Sequence, residues 1–266
     1  MRSTMAKGIL VLALLLPVYF AGAALGVRFG LFDWRLGLGT LIVQWGPRLL
    51  IGVLVLAVVI FVATLVKAPR RGWRSALIAA LVPVLGLGYL AWVRDRSADI
   101  PPIHDVSTNP ADPPAFSPAL LAARAGLPDA NPVGSLSVPL STLEKYQGER
   151  FAEMGKRTLG EIAAEAYPAV RPLVTEAAPD AAFAAALAEA RSRGWAIVTE
   201  DATARTLNAT ATTFWFGFKD DVAVRVRAGG SGSVIDVRST SRVGLSDLGA
   251  NAARIEAYLV GVEKRL

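Results

Sequence analysis

Three long stretches without a charged side chain decide most of what this chain can become. Residues 8–27, 49–66 and 76–93 contain only apolar or small neutral residues. A helix needs roughly 20 such residues to cross a hydrocarbon core of ~30 Å, so these stretches predict three transmembrane helices within residues 1–98. Pro17 and Pro83 fall inside two of them, which membrane helices tolerate better than soluble ones. None carries an acid or base near its middle. Pumps, proton relays and voltage sensors place such groups there, so the pattern argues against a transporter.

Residues 28–48, between the first two spans, hold Phe32, Trp34, Trp45 and three arginines. Tryptophan and arginine suit the water–lipid boundary, so the segment reads as an interfacial anchor, with a re-entrant functional segment as the alternative. The basic start and the small residues 21–24 would also fit a cleavable signal peptide, but the apolar run exceeds the ~7–15 residues of a usual signal core. An uncleaved helix is the better reading.

Orientation follows from the short loops. Lys67, Arg70, Arg71 and Arg74 crowd the second loop, and Arg2 and Lys7 sit at the N-terminus. Both should face the cytoplasm by the positive-inside rule. Three spans then predict a multi-pass protein of a bacterial inner membrane with its C-terminal domain in the periplasm. Arg94 and Arg96 oppose this, offset in part by Asp95 and Asp99.

The net charge of +6 divides unevenly. Residues 1–100 hold eleven Lys/Arg and three acids, a balance of +8, leaving −2 for residues 101–266. The basic charge therefore belongs to membrane flanks, and the soluble domain lacks the footprint of a nucleic-acid binder. The absence of cysteine excludes disulfides, thiolate metal sites and thiol nucleophiles.

The remaining chain reads as a Pro-rich extended segment over 99–140 and an α+β domain over 141–266. Ser141 and Glu144, then Thr158 and Glu161, have capping-box spacing and predict helix starts. A strand is expected over 170–175. Pro179 opens a helix with Phe183, Leu187 and Ala190 on one face and Gly194 as its stop. Strands are expected over 195–198, 205–214, 222–227 and 234–243, the last two joined by the glycine-rich turn 229–232. A final helix, capped by Ser246 or Asp247, carries Leu248, Ala252, Ile255, Leu259 and Val262 as one apolar stripe. The order β-α-β-β-β-β-α implies an antiparallel sheet with helices on one face.

Alternation along these strands sorts the side chains. Val222, Val224, Val226, Ile235 and Val237 point one way. Asp221, Arg225, Arg227, Asp236, Arg238, Thr240 and Arg242 point the other, with Asn208, Thr210 and Thr212 from the preceding strand. Three readings of this arginine-rich face stand open: a solvated ladder of ion pairs, a platform covered by the segment 101–116, or a site for an anionic ligand or partner.

The strings 216–227, 234–244 and 246–255, together with Ile103-His104-Asp105, Pro113-Pro-Ala-Phe116, Tyr167-Pro168 and Arg171-Pro-Leu-Val174, resemble the DUF1499 family. The resemblance covers most of residues 100–266 and implies a domain of undefined function often joined to membrane helices. It brings no catalytic residue with it.

Direct chemical signals are sparse. His104 is the only histidine, and a Ser-His-Asp triad would have to use it. No G-x-S-x-G elbow occurs. Asp220 and Asp221 are adjacent and face opposite ways on a strand, so they are poor acid–base partners. The turn 229–232 is not a phosphate loop, because no helix follows it. The candidate ligand- or partner-contacting residues are Arg225, Arg227, Asp236, Arg238 and Arg242, with His104 and Asp105. No catalytic residue, metal or cofactor is assigned. The expected partners are the lipid bilayer and an envelope protein or anionic ligand. The functional reading is a membrane-anchored, non-enzymatic binding module. The alternatives are an accessory subunit of a larger membrane complex and an envelope hydrolase or transferase.

Overall fold

The computed structural model describes residues 2–66 and 70–266, so Lys67 of the cationic loop lies outside the described residues. It resolves two compact units, Met1–Asp99 with Phe214–Gly217, and Ile100–Thr213 with Phe218–Leu266.

The first unit contains α1 (Arg2–Arg28), α2 (Gly46–Val66) and α3 (Trp73–Ala98). Each is long and apolar enough to cross a membrane. Residues 28–48 are more ordered than an interfacial loop: Arg35–Trp45 forms a π-helical stretch that runs directly into α2. The second apolar helical segment thus spans Arg35–Val66. Small residues let the helices meet closely. Ala13, Ala57 and Ala79 are buried among Ile9, Leu16, Leu50 and Val53, and a Cβ at Gly86 would come 2.8 Å from Leu50. Large apolar side chains such as Val11, Leu14, Val18, Val55, Val59 and Leu85 point outward. In water that surface would be a liability, whereas lipid tails match it.

The second unit is built on a six-stranded sheet: β1 (Asp105–Ser107), β2 (Leu173–Thr175), β3 (Ala196–Asp201), β4 (Thr206–Thr212), β5 (Lys219–Gly229) and β6 (Gly232–Ser241). The order is β1-β6-β5-β4-β3, with every pair antiparallel. β2 shares the outer edge of β6 with β1, pairing Leu173 with Ile235. The hairpin β5–β6 turns through Gly230, whose φ of 57° suits a residue without Cβ.

Two helices cover the apolar face as expected, α6 (Pro179–Ser192) and α7 (Ala250–Glu263). Phe183, Leu187, Ile255, Leu259 and Val262 share one core with Val222, Val224, Val226, Ile235 and Val237. Gly194, at φ 69°, ends the α6 segment. The N-cap of α7 is Gly249, at φ 82°, and not Ser246 or Asp247 as expected; the Asp247 carboxylate, two residues upstream, accepts the backbone N–H groups of Gly249 and Asn251. Leu248 leaves the expected stripe: it has φ 53° and is exposed.

The segment 99–140 is not extended throughout. It contains edge strand β1 and helix α4 (Pro118–Ala125). Ser117 caps α4 by accepting the Leu120 N–H, and Pro118 sits at its first turn. The helix expected from Ser141 does not form. Short 3-10 turns run from Leu140 to Lys156 instead. The second capping box does form, Thr158 with Glu161, and it opens α5 (Leu159–Ala166).

Candidate functional site

The second face of the sheet is where the alternating arginines point, and it is covered. Phe116 and Leu120 pack on Ala223 in a small apolar cluster that Val133 joins. The Ser117 N–H donates to Asn208 Oδ1 at 2.8 Å. The stretch from Asp112 to Gly134 therefore lies over the polar face, and its contacts use nearly every charged group there.

Arg238 is buried. Its Nε and Nη2 donate to Asp105 Oδ1 and Oδ2 at 3.0 and 2.8 Å, and Nη2 also reaches the Gly134 carbonyl. The Phe116 ring lies 5.1 Å from its guanidinium carbon. A bidentate pair of this kind is the geometry arginine is suited to. The pairing follows from register, because β1 lies beside β6 with Asp105 opposite Thr240.

Arg242 and Arg124 share the fully buried Asp221. Arg242 donates from Nη2 and Nε to this carboxylate, the shortest bond being 2.7 Å, and to Thr210 Oγ1 at 3.0 Å. Arg124 Nη1 meets Asp221 Oδ2 at 2.7 Å, and its Nη2 donates to the Asn131 carbonyl. Asn131 in turn donates from Nδ2 to the carbonyls of Ser241 and Gly244. Lys145 donates to Asn131 Oδ1. An unpaired charge in such surroundings would cost several kcal/mol, and the network supplies a partner to each.

The outer end of the face differs. Arg225 and Arg227 both donate to the buried Asp236 Oδ2, at 3.1 and 2.6 Å. Asp112 closes the group from the covering segment, at 2.9 Å from Arg225 and 3.2 Å from Arg227. The Arg225 hydrogen bond and charge pull the Asp112 carboxyl below its usual range. The Arg225 and Arg227 side chains are 20 % and 42 % exposed. Asp236 Oδ1 and Arg225 Nε are buried with no protein partner.

His104 is buried rather than displayed. Its Nδ1 lies 3.4 Å from Tyr146 Oη, which donates to the Pro102 carbonyl. Burial pushes the imidazole below its ordinary pKa, against the opposing charge of Asp105. The same burial drives Tyr146 strongly upward. The His104 carbonyl accepts from Ser241 N–H and from Asn251 Nδ2. Ile103-His104-Asp105 thus reads locally as a strand entry tied to β6 and α7. Asp220 faces the other side of the sheet, where Arg254 of α7 holds it. Among the described residues, no group of three or more His, Asp or Glu is placed to hold a metal ion.

The sequence-derived candidates therefore separate. Arg238 joins Asp105, and Arg225 and Arg227 join Asp236, while Arg242 joins Asp221. His104 stands apart. Arg124, Asn131 and Asp112 escaped the sequence reading. The usable signals were the Ser117-Pro118 helix start for Arg124 and the position of Asp112 inside the string Asn109-Pro-Ala-Asp-Pro-Pro114.

A family model described as a protein of unknown function, DUF1499, matches residues 105–261. The chain belongs to the DUF1499 family. The matched residues contain the whole arginine face, its covering segment, α6 and all but the last two residues of α7. No curated protein matches the chain.

Proposed function

We propose that this DUF1499 protein is a membrane-anchored, non-enzymatic interaction module of a bacterial envelope. Its three helices sit in the inner membrane with the N-terminus cytoplasmic, and its sheet domain occupies the periplasm. Cations gathered in the second loop and at the N-terminus support that orientation.

The interaction surface in this reading is the outer end of the polar sheet face. One observation carries it: Arg227 keeps an exposed side chain beside the partly buried Arg225, above a buried carboxylate that retains an unpartnered oxygen. Paired guanidinium groups recognise carboxylate or phosphate oxygens. Arg238, Arg242 and Asp105 lie further along the same face, buried in their own ion pairs, and hold the covering segment rather than touching the partner. His104, buried against Tyr146, is ill placed to act as a surface base.

Crosslinking in native membranes, followed by mass spectrometry, tests the reading. A partner captured by the intact protein should be lost from Arg227→Gln, which leaves Arg225 on the buried Asp236, while the domain keeps its thermal transition. The same captured partners from both proteins would remove this surface from the account.

A further inference from the structure

The loop between β4 and β5 presents a feature the proposed interaction surface does not use. It reads Thr213-Phe-Trp-Phe-Gly-Phe218. Phe214 and Trp215 are 71 % and 54 % exposed, with their rings packed edge to face at 5.4 Å. Two neighbouring exposed aromatic rings form an apolar patch of the kind that marks an interaction or membrane site.

Strand register locates this loop at one end of the sheet. Asp105 pairs with Thr240, Thr240 with Asp221, and Asp221 with Thr210. These four residues form one row across β1, β6, β5 and β4. β1 starts at this row and β4 ends just past it, so residues 213–218 leave the sheet at the end where the chain enters. The row is about 14 Å wide at ~4.8 Å per strand. Asp105 follows the end of α3 by only the six residues 99–104, seven steps and so a tether of at most about 24 Å at ~3.4 Å per residue. The end of the sheet that carries Phe214 and Trp215 is thus the end at which the chain arrives from α3.

We infer that Phe214 and Trp215 form an interfacial anchor that enters the lipid headgroup region. Tryptophan and other aromatic rings settle at that depth because one edge is apolar and the surroundings are wet. The anchor adds a second attachment to the covalent one and fixes which end of the sheet faces lipid. The opposite end, with the turn at Gly230 and Ser231, is left to face solvent.

The chain has no cysteine, so a single one can carry a probe. Trp215→Cys, Phe214→Cys and Ser231→Cys are each labelled with an environment-sensitive fluorophore. The full-length proteins are reconstituted in vesicles of phosphatidylethanolamine and phosphatidylglycerol that contain a headgroup-proximal nitroxide lipid. The probe at 214, with Trp215 retained, guards against misfolding of one variant. Quenching several-fold stronger at 214 and 215 than at 231 is expected, with blue-shifted emission. Equal quenching at all three sites overturns the inference. So does a blue-shifted but unquenched probe at 214 and 215, since that indicates a protein occupant instead of lipid.

Discussion

Arg238 and Asp105 form a bidentate ion pair with almost no access to solvent, joining the first strand of the domain to its last. The two residues are far apart in the chain, and their pairing closes the edge where β1 meets β6. Removing one partner leaves the other as a buried uncompensated charge. Asp105→Asn should therefore destabilise the domain by about 3–5 kcal/mol. The double variant Asp105→Asn/Arg238→Met should lose less than the two single effects combined, since no buried charge is left alone. Chemical denaturation of the four proteins in a cycle measures this. Additive losses would show that the pair is not coupled.

Arg238→Gln/Arg242→Gln should loosen the covering segment as well as the β1–β6 edge. Arg238 holds Gly134 and Asp105, and Arg242 aligns the carboxylate that Arg124 of α4 grips. Residues 109–134 should become sensitive to limited proteolysis at temperatures where the parent resists. A cleavage pattern identical to the parent would mean that the segment is held by its apolar contacts alone.

Leu259 is buried in the α7 stripe against the sheet core. Leu259→Ala should cost roughly 2–5 kcal/mol, as for other core leucines. Leu248→Ala, although four residues before Ala252 in the expected stripe, should change stability by less than about 0.5 kcal/mol, the usual size for exposed positions. Comparable losses at both sites would contradict the observed helix start.

His104 gives a pH dependence with a definite sign. Its folded pKa lies below the unfolded value of about 6.5. As pH falls below about 6.5, the unfolded chain binds a proton that the folded domain refuses, so stability drops until the folded pKa is passed. Above that window the contribution is complete and flat. His104→Gln should remove this part of the slope while leaving the carboxylate-driven loss at lower pH. Superimposable stability profiles between pH 7 and 5 would show that the imidazole is solvated.

Alternation made the sheet legible. Val222, Val224 and Val226 against Asp221, Arg225 and Arg227 fixed which side each residue faces, and the structure keeps every one of those assignments. Periodicity reports the side a residue faces and says nothing of what covers it. Burial of Arg238 and Arg242 therefore depended on a segment whose prolines hid an eight-residue helix. The capping spacing at Ser141 and Glu144 misled for a related reason. Cap residues start a helix only when an apolar stripe follows. Leu143, Tyr146 and Phe151, with Gly148 between them, do not sustain one. Thr158 and Glu161 succeed because Leu159, Ile162 and Ala163 follow and are buried.

The proposed placement of the sheet domain outside the cytoplasm, tethered by three membrane helices, is tested most directly by topology reporters. Alkaline phosphatase fused after Leu266 should be active, and a cytoplasm-dependent fluorescent reporter at the same position should be dark. The same pair of reporters placed after Arg71 should give the reverse pattern. A dark phosphatase with a bright cytoplasmic reporter after Leu266 would put the domain inside the cell and contradict the account.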